Sequence, residues 1–329
     1  MVATRCFTYN HASYIEDTLR GFAMQEADFP MVYCIVDDAS TDNEPNVLRA
    51  WAENNLDLYE DGIACCDKLD YGELIVAPLK VRHNSLFVIL LLSHNHKQAG
   101  KSKLRYLTEW MDNSKYSALC EGDDYWSDPS KLAKQVEILE SDSEIGLCYA
   151  RAKVYDDDSH SFSKEIKGHK FDTFEQQLMW NYIPSLTVCM RSEMRIRYES
   201  EKKNWQEAST WRMGDYPKWL WFCLNSKVSF LDEVVAVYRV SQGTFSRPKT
   251  LSSQKAFIDS TYSIKMHFAQ MAKTNTKVLN KIKLDMNKEI AYTYINNFEY
   301  THAQNVIKEI PFIYRIRILL YFIKKRLFS

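Results

Sequence analysis

The sequence has no apolar run near the roughly 20 residues that cross a bilayer, so no helical membrane span is expected. Its start, MVATRCFTYNH, lacks a charged segment followed by an apolar one, and the chain is therefore expected to stay in the cytoplasm. No excess of either charge exists: 42 Lys and Arg stand against 43 Asp and Glu, so no whole-molecule field draws in nucleic acid, and none is expected as a partner. The eight cysteines (Cys6, Cys34, Cys65, Cys66, Cys120, Cys148, Cys189, Cys223) form no C-x-x-C pair. Several lie in apolar, strand-like runs, which fits reduced core thiols better than disulfides or a zinc site. With 46% apolar residues over 329 positions, the chain can fill the core of one large domain or two modest ones.

The first 150 residues alternate strand and helix signals. Met1 to Tyr9 reads as a strand. Ser13 with Glu16 three residues later reads as a capping box, opening a helix with Ile15, Leu19 and Phe22 on one face. MVYCIV (Met31 to Val36) is a buried strand running into Asp37-Asp38-Ala39-Ser40-Thr41-Asp42, with a helix through Val47 and Trp51 behind it. After an irregular stretch, Tyr59 to Gly72, come strands at Leu74 to Ala77 and Leu86 to Leu92, a helix near Lys103 to Met111 and a strand at Tyr116 to Cys120. Asp128 then caps a helix with Pro129 in its first position. Such alternation predicts an α/β fold, a mainly parallel sheet flanked by helices, with ligands at the carboxyl ends of the strands.

Two acidic clusters follow strands, Asp37-Asp38 and the run ALCEGDDYW holding Glu121, Asp123 and Asp124. Crowded carboxylates repel one another unless a cation or a donor-rich ligand sits among them. Tyr9, at the end of the first strand, has the chemistry to stack on a base, although a core aromatic there is an equal reading.

The series Tyr9-Asn10-His11, Ile15, Leu19, Gln25, Val36 to Asp42 and Glu121 to Trp126 resembles the donor half of family 2 glycosyltransferases, which have the GT-A fold. Gly214-Asp215-Tyr216-Pro217, Phe230 to Glu233 and Val237-Tyr238-Arg239-Val240 resemble the acceptor half of bacterial members that build surface polysaccharides. The resemblance departs at the long segment Tyr59 to Lys101 and at Ser241-Gln242-Gly243, where many relatives carry a His. It implies a GT-A domain over 1–250, with a donor half at 1–127 and an acceptor half at 128–250; beyond it, helical runs such as Phe257 to Met271 and Val278 to Asn296 predict a helical extension over 251–329. It implies an inverting transferase that moves a sugar from a nucleotide sugar, a UDP-sugar first, to a glycan or lipid-linked acceptor. Thr8, Tyr9, Asn10, Asp38 and Asp123 would then hold the nucleotide, Asp38 accepting from the base edge. Asp124 would bind Mn²⁺ or Mg²⁺, and Asp215 would take the acceptor proton; Asp232 and Glu233 are its rivals in a hairpin turn.

A nucleotidyltransferase would use a similar acidic rim, but needs a Gly-rich basic loop where Thr8-Tyr9-Asn10-His11 stands. A sugar-binding relative without turnover is a third reading. His94 and His96 alternate as on one strand face, Asp156-Asp157-Asp158 reads as a solvated loop, and Lys97, Lys101, Lys103 and Arg105 read as phosphate ligands or a charged helix face. The tail FIYRIRILLYFIKKRLFS is basic and too short to span; it reads as an interfacial helix at a membrane's inner face or as a helix packed on the domain, with charges not cleanly segregated.

Overall fold

The computed structural model describes residues 1–58, 65–240 and 248–327. The segment Ser241-Gln242-Gly243 and part of the irregular stretch after Tyr59 lie outside them. Two compact units are formed. The first comprises Met1–Lys170, Tyr182–Ser200 and Asn225–Val240; the second comprises Phe171–Asn181, Glu201–Leu224 and the described residues after 247.

One sheet runs through the first unit. In chain order its strands are β1 (Val2–Thr8), β2 (Met31–Asp37), β3 (Cys65–Leu69), β4 (Gly72–Leu79), β5 (Arg82–Leu92), β6 (Tyr116–Leu119), β7 (Tyr125–Trp126), β8 (Ile145–Asp156), β9 (Ser161–Lys167), β10 (Cys189–Arg191) and β11 (Lys227–Val240). They lie in the order β3-β4-β5-β2-β1-β6-β10-β8-β11-β7, with β9 paired to β8. The central β5-β2-β1-β6 block is parallel, as the βα alternation predicts, and antiparallel strands flank it. Every residue of β2 is buried, which is why MVYCIV is continuously apolar.

Helices α1 (Ile15–Ala23), α2 (Glu44–Asn55), α3 (Thr108–Asp112) and α4 (Lys131–Ser141) belong to this unit. Phe22 of α1 stacks on Tyr33 at 5.0 Å and meets Trp126 edge-on at 4.9 Å, so an aromatic cluster ties α1, β2 and β7 into one core. The capping box does not form. The His11 carbonyl accepts from the N–H groups of both Tyr14 and Ile15, closing the first turn by main chain, while Glu16 pairs with Arg20 at 2.9 Å. Asp128 likewise precedes its helix: its carboxylate takes the Ser130 N–H at 2.9 Å and its carbonyl the Lys131 N–H at 3.2 Å, so α4 starts at Lys131. Phe230 to Val237 is no hairpin. It lies within the single strand β11, whose register against β8 shifts between Leu231 and Val234, and that irregularity absorbs Asp232 and Glu233.

The second unit is helical. It holds α5 (Phe174–Met179), most of α7 (Tyr216–Asn225), α8 (Leu251–Met271), α9 (Thr276–Asn296), α10 (Tyr300–Glu309) and α11 (Phe312–Leu327); α6 (Ser192–Lys202) begins in the first unit. On α11, Ile318 and Phe322 are buried in a cluster with Ala291, Ile295 and Ile307. Phe312, Ile313, Ile316, Leu320 and Ile323 are exposed, at 51–75%. At about 3.6 residues per turn these five share one face, flanked by Arg317 and Lys324 on one side and Arg326 on the other. The stripe itself is free of charge, while Arg315, Arg317, Lys324, Lys325 and Arg326 are spread around the rest of the helix, so the charges do not gather on one face. Among the described residues no helix is long and apolar enough to cross a membrane.

Candidate functional site

Parallel pairing of β6, β1 and β2 brings their carboxyl ends to one edge, and the loops that follow are joined by main-chain bonds. The Asp38 N–H donates to Thr8 O at 3.0 Å, and the Gly122 N–H to Phe7 O at 3.1 Å. A Cβ on Gly122 would stand 2.1 Å from Thr8 Oγ1, so only glycine lets these two loops touch. Thr8, Tyr9, Asn10, Asp38, Asp123 and Asp124 are thereby gathered on one rim.

Behind the rim is a buried polar hub that the sequence reading missed. Glu44, fully buried at the start of α2, accepts from the Thr8 hydroxyl, from the His11 N–H at 2.9 Å and from Ser40 Oγ at 2.8 Å. The Ser40 N–H donates to Asp37 at 3.3 Å. Burial pushes the Asp37 carboxyl up to about 6, against the lowering hydrogen bond from Ser40 and with the Glu44 charge adding to the rise. Asn10 has φ 58, a left-handed conformation that Asn tolerates, and its Oδ1 accepts from Thr41 N at 2.8 Å. Ala39 shares that conformation (φ 58) with no side chain suited to it, a local strain beside Asp38.

Asp38 is 1% exposed and accepts from three donors, one on Oδ1 and two on Oδ2. The His96 N–H reaches Oδ1 at 2.7 Å, and the Lys97 N–H (3.1 Å) and Lys103 Nζ (2.9 Å) reach Oδ2. Burial would raise this carboxyl, but the Lys103 ammonium and the two N–H donors outweigh it and hold it below the ordinary value. Asp38 thus clasps the 94–103 loop. Lys103 is neither a free phosphate ligand nor part of a charged helix face, and His96 lies beyond β5 with its Nε2 against the Tyr106 hydroxyl at 2.9 Å, not on a strand.

At the third loop, Glu121 pairs with Arg5 at 2.6 Å and accepts the Phe7 N–H at 3.1 Å. Asp123 is half-buried. Asp124 is 6% exposed; its Oδ1 accepts the Arg239 N–H at 2.8 Å, and Thr18 Oγ1 of α1 donates to its carbonyl at 2.6 Å. Burial, then the Asp123 charge, hold the Asp124 carboxyl well above the usual range, opposed by the Arg239 N–H. Arg239 also donates to Asp123 O at 3.2 Å and pairs with Asp17, so this one residue of β11 fixes both aspartates. Among the described residues no three His, Cys, Asp or Glu side chains converge as a metal cage.

In the second unit, Asp215 is half-buried and opens α7, its carbonyl accepting the Trp219 N–H at 3.0 Å. Its rivals are ion-paired in the first unit, Asp232 with Arg151 and Glu233 with Lys134. Asp157 is not merely solvated: it accepts the Tyr14 hydroxyl at 2.5 Å.

No family model matches the chain. An uncharacterized protein of Mycobacterium tuberculosis (strain ATCC 25618 / H37Rv) and one of Mycobacterium bovis are 27% identical over 234 residues, 70% of this chain. The match spans 56% of those proteins. Among solved structures, the mannosyltransferase PcManGT of Pyrobaculum calidifontis, in complex with GDP-Man and Mn²⁺, superposes with TM-score 0.52 and 14% identity over 94% of this chain and 74% of that one. TarS of S. aureus residues 1-349, in complex with UDP-GlcNAc, gives 0.50 and 14% over 98% and 87%. The fold is of the GT-A glycosyltransferase type.

Proposed function

We propose that the chain is an inverting, metal-dependent glycosyltransferase resembling family 2, which moves a sugar from a UDP-sugar to a glycan or lipid-linked acceptor in surface polysaccharide synthesis. The observation that supports it most is the convergence of three strand-end loops on one acidic rim in a GT-A fold. The solved glycosyltransferases with that fold hold UDP-GlcNAc in one case and GDP-Man with Mn²⁺ in the other. In this reading residues 1–127 form the donor half and 128–250 the acceptor half.

Thr8, Tyr9, Asn10 and Asp123 would line the nucleotide. Asp38 would act on the base edge from a carboxylate whose geometry the 94–103 loop already sets. The donor set fits Mn²⁺ or Mg²⁺ without a protein cage, because such ions take one or two carboxylates and complete their shell with phosphate oxygens and water. Asp124 is desolvated and next to a like charge, so a cation there relieves a cost the fold otherwise bears. Bound, the ion would neutralise charge growing on the leaving diphosphate. Asp215 would remove the acceptor proton.

A thermal-shift panel of UDP, GDP, dTDP and CMP, each with and without Mn²⁺, tests the donor assignment. UDP with Mn²⁺ is expected to give the largest rise. Equal, metal-independent shifts for all four, or none, would sink the reading.

The stripe on α11 supports a peripheral contact with the inner face of a membrane, where each Lys or Arg near anionic lipid contributes about 1 kcal/mol. Deleting the helix would unpack Ile318 and Phe322, so the cleaner test is Ile316→Glu with Leu320→Glu, at positions 53% and 64% exposed. The pair is expected to lower co-sedimentation with phosphatidylserine vesicles while the UDP and Mn²⁺ shift persists. Unchanged sedimentation would remove the membrane role.

A further inference from the structure

Beside the acidic rim, wholly within the first unit, the same Arg239 forms one wall of a second feature, a cleft of 540 Å³. That size falls in the range of about 300–1,000 Å³ typical of small-molecule sites. In its lining a cation lies between rings: the Arg239 guanidinium is 5.0 Å from the ring centre of Tyr14 and 4.9 Å from that of Tyr125. The lining also includes a cross-strand aromatic pair, Tyr155 of β8 against Phe162 of β9, edge-on at 5.2 Å. Phe162 is 54% exposed, a large apolar ring presented to the cleft's surroundings where its fold gains little from burial. Asp157, positioned by the Tyr14 hydroxyl, is in the lining as well, with Ser13, Asp17 and His160.

We propose that this cleft is a carbohydrate subsite that takes neutral pyranose rings of the acceptor glycan. Aromatic walls offer flat apolar faces against which the C–H face of a pyranose packs, while the carboxylate of Asp157 accepts from hydroxyl groups at the ring edge. Charge also bears on the ligand. Arg239 is already paired with Asp17, and the second carboxylate of the lining, Asp157, shares the site with His160 and with Lys153, whose Nζ lies 5.8 Å from the Phe162 ring centre, so no excess of positive charge is left to draw in a phosphate, a uronic acid or another anion. A ring held here would also lie next to the aspartates that Arg239 fixes, at the edge where transfer is proposed to occur. The acceptor role rests on the glycosyltransferase reading; the binding of a neutral glycan does not.

The two are separable with the full chain. Saturation-transfer NMR would be run with cellobiose, maltose, lactose and N,N′-diacetylchitobiose, with glucuronate and inorganic phosphate as anionic probes. At least one neutral disaccharide is expected to bind, and Phe162→Ala and Asp157→Asn are each expected to weaken it at least tenfold, with the UDP and Mn²⁺ thermal shift intact in both. Phe162 is exposed and Asp157→Asn is nearly isosteric, so both variants should fold, and their melting curves check this. Binding by none of the four disaccharides, binding indifferent to both substitutions, or a preference for the anions would overturn the subsite. Disaccharide binding that both substitutions abolish, in a protein that no nucleotide stabilises, would uphold the subsite and sink the transferase reading alone.

Discussion

Asp215→Asn is expected to reduce sugar transfer by roughly 10²-fold or more, the scale of a lost general base. The amide keeps the size of the carboxylate and still accepts a hydrogen bond, but cannot take up a proton usefully near neutral pH. The loss belongs to the transition state, so it should fall on kcat more than on the donor's KM. A cap-only role makes the opposite prediction, because Asn caps a helix about as well as Asp and the Trp219 N–H bond uses the main chain, which the substitution leaves alone. Melting temperature is expected to stay within a degree or two of the parent on either account, so only turnover separates them. Near-parental turnover would dismiss Asp215. The rivals would then inherit a difficulty of their own: hydrogen bonding to Arg151 holds the Asp232 carboxyl below its ordinary value, which weakens it as a base, and Glu233 is engaged by Lys134.

Asp124→Asn is expected to remove most of the stabilisation that UDP and Mn²⁺ confer, about 2.7 kcal/mol when the ligand stands at 100 times its dissociation constant. Without ligand the variant should be no less stable than the parent. Asn retains an oxygen for the Arg239 N–H, and it replaces a buried carboxylate that sits beside Asp123. A loss of ligand response together with an unchanged or raised melting temperature separates a metal ligand from a merely structural residue. Equal response in both proteins would show that the ion, if it binds, sits elsewhere.

Much of the architecture was legible because its signals are local. The apolar run Met31 to Val36 of β2, the βα alternation and the placing of Asp37-Asp38 and Glu121 to Asp124 at strand ends need only the period of the chain. What was hidden depends on pairs distant in sequence. Nothing near Glu44 marks it as the buried hub for Thr8, His11 and Ser40, since a Glu in the first turn of a helix reads as an ordinary surface residue. Lys103 looked like one of several basic residues until Asp38, 65 positions earlier, claimed it. The bulge in β11 was misread as a hairpin because Asp-Glu between apolar runs is the usual signature of a turn. The stripe on α11 was obscured because Ile318 and Phe322 are as apolar as the exposed residues, and only packing tells the two sets apart.

The bond between Asp124 and Arg239 joins residues 115 positions apart, and β11, which carries Arg239, is the last strand of the sheet to be made. A ribosome that has delivered β1, β2 and β6 has delivered every other rim loop but not the residue that holds the Asp123-Asp124 turn. Contacts of such long sequence separation also form late in refolding, because the closure of the intervening loop opposes them. Recovery of nucleotide response would therefore time the docking of β11 and would lag behind the collapse of the amino-terminal strands.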